Sequence, residues 1–218
     1  MSTTAMTSPL AAVKFESVND QMERFLRKHL PDFTAPTNPK TWPAQARKHR
    51  KTLLDKVYLR GWSKDLIDRD PPIVWGKTIK PCKEYSIKML RYEIYPDFWI
   101  PALLYVPTKM SAKTPVVICP NGHHHAGKAI DYKQARCANL ARRGMMVMNF
   151  EFIGMGELMG DWPHCDRGIV DLSELSYTGF FYMAMSKALD ILLAQPKADP
   201  TRCLCTGLSG GGWQTIVL

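Results

Sequence analysis

Three short segments of strand character, separated by stretches of helical character, constrain the fold of this chain more than any other feature of its sequence. They cover residues 115–119, 145–150 and 202–206, and we interpret each as a strand. Residues 131–143 and 177–194 lie between them and are predicted to be helices. Strands that alternate with helices build a mostly parallel sheet with helices on both faces, so an α/β fold is predicted.

The first 80 residues differ in character from the rest of the chain. After a polar tail, two helices are predicted at about residues 17–30 and 42–60, and Gly61 is placed to end the second helix in a left-handed conformation. We therefore divide the chain into an N-terminal tail with a helical extension, residues 1–80, and a partial α/β domain, residues 81–218.

Two more strands are predicted at the start of that domain, at residues 85–89 and 102–106. The turn-forming residues Tyr95, Pro96 and Asp97 separate them, so we expect a β-hairpin.

Composition and charge narrow the class of protein. The 218 residues are 45% hydrophobic, which is enough for one core, and neither an export signal nor a run of about 18 apolar residues is present. We expect a soluble, cytoplasmic protein without a membrane partner. The net charge of +9 includes the basic run 47–51, but no aromatic interleaving accompanies it, so a solvated helix face is expected in place of a nucleic-acid site.

A serine flanked by glycines follows the last predicted strand, in the sequence Gly-Leu-Ser-Gly-Gly at 207–211. A serine hydroxyl is a poor nucleophile, so an enzyme that uses it must expose it towards a base and place hydrogen-bond donors beside the reacting carbonyl. A sharp turn between strand and helix does both. We predict Ser209 as the nucleophile and the amide of Gly210 as one donor of the oxyanion hole.

The second donor is predicted in the loop after the 115–119 strand, where Asn121, Gly122 and His123 stand. The amide of His123 is the expected group. Three consecutive histidines also suggest a metal site, but sequence neighbours rarely converge on one ion, and no carboxylate or cysteine stands at a matching spacing. We expect no metal, and we expect His124 or His125 to line or cover the pocket entrance.

Other interpretations of the glycine-rich turn agree less well with the sequence. No lysine follows the glycines as in a phosphate-binding loop, and the spacing is not that of a dinucleotide site. Glu151 and Glu157 are candidate acids for a catalytic triad. With a nucleophile turn of this kind, however, the acid and the histidine both follow the serine in the chain, whereas these two glutamates precede Ser209. Residues 210–218 contain no Asp, Glu or His, so we expect neither acid nor base in this chain, which by itself would be inactive.

Several segments together resemble one enzyme family. They are, in order, 101–107, the Asn121-Gly122-His123 loop with Gly127-Lys128, 140–144, 188–190, 199–202 and 207–215. They are similar to the acetylxylan-esterase-like branch of the α/β-hydrolase superfamily. The resemblance implies Ser209 as nucleophile, the amides of Gly210 and His123 as the oxyanion hole, a small-molecule or carbohydrate ester as substrate, and no cofactor.

Two alternatives remain open. A serine peptidase of the prolyl-oligopeptidase kind has the same turn around its nucleophile, and a non-catalytic binding or scaffold domain can retain the fold without the chemistry. If later strands are absent, the strand before Ser209 leaves an unpaired sheet edge, through which the chain is expected to associate.

Overall fold

The structure is a computed structural model that describes residues 16–30, 32, 34–160 and 168–218. The predicted polar tail, Pro31 in the turn-rich stretch, and Cys165 lie outside the described residues. Internal contacts divide the chain after Gln45. Within the described parts, no helix is long and apolar enough to cross a bilayer, and the five cysteines are free thiols.

The part before the division contains helix α1, Val18–Arg27, as the sequence predicts. Ser17 precedes it, and its hydroxyl accepts a hydrogen bond from the Asp20 amide at 3.2 Å, which satisfies one of the unpaired donors of the first turn. One face of α1 is apolar and exposed, with Val18, Met22, Phe25 and Leu26.

The other helices and the six strands follow in chain order. Helix α2 spans Trp42–Leu53, continues as a π-helical turn Leu54–Tyr58, and is followed by α3 Lys64–Asp68, α4 Asp131–Arg142, α5 Gly168–Leu172, α6 Tyr177–Leu193 and α7 Gly210–Val217. The strands are β1 Ile73–Ile79, β2 Tyr85–Tyr95, β3 Phe98–Pro107, β4 Thr114–Ile118, β5 Met146–Phe150 and β6 Ala198–Cys205. The basic run 47–51 lies in α2 and is exposed, as expected of a solvated helix face.

The six strands found among the described residues form one mixed sheet in the order β1-β2-β3-β5-β4-β6. β1 and β3 run antiparallel to their neighbours, while β4 is parallel to both β5 and β6. Four strands, β2, β4, β5 and β6, therefore point in one direction. The predicted mostly parallel α/β sheet is confirmed, and so is the hairpin, whose strands β2 and β3 are longer than predicted.

Strand β1 is missing from the sequence-based prediction. All seven of its residues are exposed, and its pairing with β2 is irregular between Trp75 and Thr78. A strand that buries neither face leaves no alternating pattern of apolar residues, which is the signal that sequence reasoning uses.

The core lies on both faces of the sheet. On β4 and β5, Val117 and Val147 pack with Cys137 of α4 on one face. The alternate residues, among them Val116 and Met148, belong to the larger cluster with α6 on the other face. Because successive strand residues point to opposite faces, burial on both sides requires the continuous apolar runs seen in the sequence.

The turn predicted at Asp199 lies inside β6 as an irregularity. Ala198 pairs with Thr114 and Cys203 with Val116, so the residues between bulge out of the ladder. The Asp199 carboxylate closes this bulge by accepting hydrogen bonds from the amide and hydroxyl of Thr201, at 3.0 and 2.7 Å.

The segment after α2 packs against α6. The indole of Trp62 is buried, donates a hydrogen bond to the Ser176 carbonyl at 2.9 Å, and contacts Phe180 edge-on at 4.5 Å. A β-carbon added at Gly179 would lie 2.2 Å from Trp62 Nε1. The glycine in the first turn of α6 is therefore what lets the indole approach the helix.

We predict that Gly179→Ala destabilises the protein by about 1–3 kcal/mol, because the new methyl group collides with the Trp62 ring. In an ordinary helix position the same substitution increases the free energy of unfolding, because alanine favours the helix more than glycine does. The matched change Gly212→Ala in α7, where an added β-carbon meets nothing closer than 3.6 Å, should stabilise by about 0.5–1 kcal/mol. Urea unfolding of both variants measures the difference, and equal effects would contradict the packing described here.

Candidate active site

Ser209 stands in the turn between β6 and α7. Its backbone has φ +85° and ψ −111°, and it is an exposed residue that precedes the first residue of the helix. Positive φ is rare for residues other than glycine and costs about 1–3 kcal/mol. The turn is held by hydrogen bonds from the Gly211 amide to the Leu208 carbonyl at 3.0 Å, and from the Trp213 amide to the Ser209 carbonyl at 2.9 Å.

Two close main-chain approaches define this turn. A β-carbon on Gly207 would lie 2.3 Å from the carbonyl carbon and oxygen of Gly211, so strand and helix meet at van der Waals distance around Ser209. A β-carbon on Gly122 would lie 2.8 Å from the Gly210 nitrogen. The loop after β4 is thus in direct contact with the turn after β6.

The sheet brings the two segments together because β4 and β6 are parallel neighbours. Ile118 pairs with Cys205, so both strands end at the same level and their following loops lie side by side. The side chain of Gln214, buried in α7, donates a hydrogen bond to the Asn121 carbonyl at 2.7 Å. This bond fastens the loop to the helix that Ser209 precedes.

A pocket of about 300 Å³ opens at this junction. It is lined by His123, Phe152, Tyr177, Thr178, Phe181, Ser209, Gly210 and Trp213. The structure therefore brings the three residues singled out in the sequence, Ser209, Gly210 and His123, to one pocket. Four of the lining residues are Phe, Tyr or Trp, and none of the described lining residues has a carboxylate side chain.

The neighbouring histidines lie beside the pocket and not in its lining. The rings of His124 and His125 stack with centroids 4.3 Å apart, and His124 Nδ1 accepts a hydrogen bond from the Ala126 amide at 3.1 Å. Burial, followed by the charges of His125 and Lys133, lowers the pKa of His124. Within the described residues, no group of three or more His, Cys, Asp or Glu side chains could hold a metal ion.

Glu151 lies in a buried polar network and not in the lining of the Ser209 pocket. Its carboxylate accepts from the Lys128 amide at 2.8 Å and from Lys128 Nζ at 2.9 Å, and the side chain is 1% exposed. Lys128 also pairs with Glu157, whose side chain is largely exposed. The sequence indicated a loop-shaping segment here, but not that Lys128 would be buried as its partner. One sequence signal could have indicated such a network: Asn149, a polar residue in an otherwise apolar strand. Its buried side chain donates a hydrogen bond to the Lys128 carbonyl at 3.4 Å.

A second, larger pocket of about 590 Å³ lies at the turn between β2 and β3. Its lining includes Tyr95, Phe98, Trp99 and Phe180, and none of the three predicted site residues. Size alone therefore does not mark the candidate site, which we identify by the chemistry of its side chains.

Solved structures of proteins named as esterases share this arrangement of strands and helices. A Bacteroides fragilis protein assigned as an acetyl xylan esterase superposes with a TM-score of 0.71 at 17% sequence identity, covering 94% of this chain and 57% of that protein. The methylesterase BT1017 gives a TM-score of 0.67 at 23% identity, covering 91% of this chain and 41% of its own. The fold is of the α/β-hydrolase type.

A further similar structure is the glucuronoyl esterase from Solibacter usitatus, with a TM-score of 0.54 at 14% identity, over 87% of this chain and 61% of that one. No family model and no curated protein matches the sequence. The chain spans 41 to 61% of the length of these three α/β-hydrolase structures.

We predict that Ser209→Gly stabilises the protein by about 1 kcal/mol, which raises the melting temperature by about 2–4 °C, because glycine adopts positive φ without strain. Ser209→Ala is the matched control, since it also loses the hydroxyl but keeps the β-carbon and hence the strain. Thermal unfolding followed by circular dichroism measures both. Equal melting temperatures for the two variants would show that the backbone at this position is not strained.

Proposed function

We propose that this chain carries the nucleophile-bearing part of a serine ester hydrolase that acts on acylated carbohydrates or related small esters. The observation that carries the proposal is Ser209 on a strained turn between strand β6 and helix α7, opening into a pocket shared with Gly210 and His123. This arrangement is what a serine nucleophile requires.

In the proposed mechanism, Ser209 Oγ attacks the ester carbonyl carbon while a base takes its proton. The negative charge that forms on the carbonyl oxygen is stabilised by the amides of Gly210 and His123, and each such donor contributes about a hundredfold or more in rate. The intermediate collapses to an acyl-enzyme as the alcohol leaves with the proton, and water then releases the acid and regenerates the serine.

We place the catalytic acid and base outside these 218 residues. The described lining of the pocket holds no carboxylate, and its single imidazole, that of His123, belongs to the residue whose amide the mechanism uses. The chain by itself is then inactive.

The substrate class is supported by the pocket and by the neighbours. Phe152, Tyr177, Phe181 and Trp213 offer flat apolar surfaces suited to a sugar ring or an acyl group. The structural neighbours bear the names acetyl xylan esterase, methylesterase and glucuronoyl esterase, all of which denote ester cleavage.

A fluorophosphonate probe should modify Ser209 when the protein is used as its source organism makes it. The probe forms a covalent bond with an activated serine hydroxyl. Mass spectrometry of the tryptic peptide that begins at Cys203 identifies the adduct, and Ser209→Ala should abolish it. No adduct, in a sample where other serine hydrolases react, favours the non-catalytic binding or scaffold domain.

The isolated 218-residue chain serves as the matched control and should hydrolyse p-nitrophenyl acetate no faster than its Ser209→Ala variant. A serine-dependent burst from that chain would contradict the placement of the base. Acetyl, uronoyl and peptidyl substrates, tested on the probe-reactive form, separate an esterase from a prolyl-oligopeptidase-type peptidase.

We also propose that the chain associates through the free edge of β6. This strand is last in the sheet order, and Leu204 on it is 53% exposed. An unpaired, apolar strand edge is a template for pairing with another chain.

For the isolated chain we predict concentration-dependent association that Leu204→Lys weakens, because a charge on the edge opposes strand pairing. Leu53→Lys in α2, where the leucine is 50% exposed, is the control and should leave association unchanged. Sedimentation velocity over a range of concentrations measures this. Equal effects of the two substitutions would show that the β6 edge is not the surface involved.

A further inference from the structure

Buried polar side chains are concentrated beneath the loop that carries His123. Of the ten buried polar or charged residues in the described part of the chain, six lie in or around this loop. They are Asn121, Lys128, Lys133, Asn149, Glu151 and Gln214. Because burying polar groups costs free energy unless they are hydrogen-bonded, such a concentration calls for a reason beyond packing.

Lys133 is the member of this set whose side chain reaches the carbonyl of Gly122, the residue before His123. It lies in the first turn of α4 and is 4% exposed. Its Nζ donates to the Gly127 carbonyl at 3.1 Å and approaches the Gly122 carbonyl at 3.5 Å. One ammonium group therefore holds both ends of the segment 122–127.

The Gly122 carbonyl belongs to the same peptide unit as the amide of His123. A trans peptide is planar, so its C=O and N–H point in opposite directions, and fixing the oxygen fixes the direction of the N–H. A positive charge at the oxygen also polarises the unit and makes the N–H a stronger donor.

We propose that Lys133 is a positioning residue for the oxyanion hole, acting through the Gly122–His123 peptide. The inference rests on the proposed function, since that function assigns the His123 amide to the reacting oxygen. Lys133 itself does not enter the pocket lining.

The burial of Lys133 strengthens the electrostatic field of its ammonium group at the neighbouring peptide units. In a buried site the interaction between a charge and a peptide dipole is screened less than in water. Burial lowers the pKa of Lys133, as does the nearby Arg136, whereas the Glu151 carboxylate acts in the opposite sense and favours the ammonium form. Lys128 occupies that same carboxylate by direct contact, which leaves the Lys133 ammonium to the main-chain carbonyls.

Lys187 provides a matched control. It is also 4% exposed, and its Nζ also donates to two main-chain carbonyls, those of Ile67 and Arg69. It lies on α6 and is absent from the lining of the Ser209 pocket. Lys187→Met therefore removes a buried ammonium from the same kind of environment without touching the loop.

The test is the amide resonance of His123 in ¹H–¹⁵N spectra of the ¹⁵N-labelled chain. Lys133→Met should move this resonance upfield, together with that of Lys128, whose amide shares a peptide unit with the Gly127 carbonyl. Lys187→Met should leave both in place. If the His123 resonance responds equally to the two variants, or to neither, the inference is wrong.

Lys133→Gln keeps an N–H donor but loses the charge, and it replaces Lys133→Met if that variant does not fold. It should also shift the His123 resonance upfield, and a wild-type position would overturn the role of the charge. These spectra need no enzymatic activity, so they decide the inference separately from the proposed function.

In the form of the protein that reacts with the fluorophosphonate, Lys133→Met should slow modification of Ser209 by about tenfold, since a weakened oxyanion donor costs less than the loss of one. Lys187→Met should react at the wild-type rate. A wild-type rate in Lys133→Met would contradict the positioning role, while failure of the wild-type protein to react counts against the proposed function.

Discussion

The contact between two glycine-containing segments, the loop after β4 and the turn before α7, is the constraint on which the rest of the structure depends. At Gly122 and Gly210 the main chains touch, and a β-carbon on either residue would meet the other at about 3 Å. Parallel pairing of β4 with β6 places these segments together, since both strands end at one level of the sheet. The pocket and the positions of its polar groups follow from that contact.

Such a contact leaves main-chain polar groups away from water, and the structure satisfies them with side chains from other elements. Gln214 bonds the carbonyl of Asn121, and the Asn121 side chain donates to Asn149 at 2.6 Å. The Lys133 ammonium donates to the Gly127 carbonyl and approaches the Gly122 carbonyl, at the two ends of the loop. The loop is therefore shaped by hydrogen bonds from β5, α4 and α7, and an apolar core at this place would leave its carbonyls unpaired.

The strands that bury both faces, and the helices between them, could be predicted from the sequence because their patterns depend on local composition. β4, β5, α4 and α6 agree with the prediction to within one or two residues. β1 was missed because it is exposed along its whole length, and the bulge in β6 was taken for a turn before the strand. Both errors concern pairing between strands, which local composition does not encode.

The sequence by itself determined the alternation of strand and helix, the α/β class, and the glycine-flanked serine on a turn, because each of these is a local pattern of residue size and polarity. Only the tertiary structure decided that His123 and Gly210 share a pocket with Ser209, and that Lys133 lies beneath the peptide between Gly122 and His123. The shared pocket joins residues far apart in the chain, because the parallel sheet aligns the ends of β4 and β6, and no local pattern specifies which loops will then meet. The Lys133 contact spans only eleven residues, but it depends on how α4 packs beneath the loop.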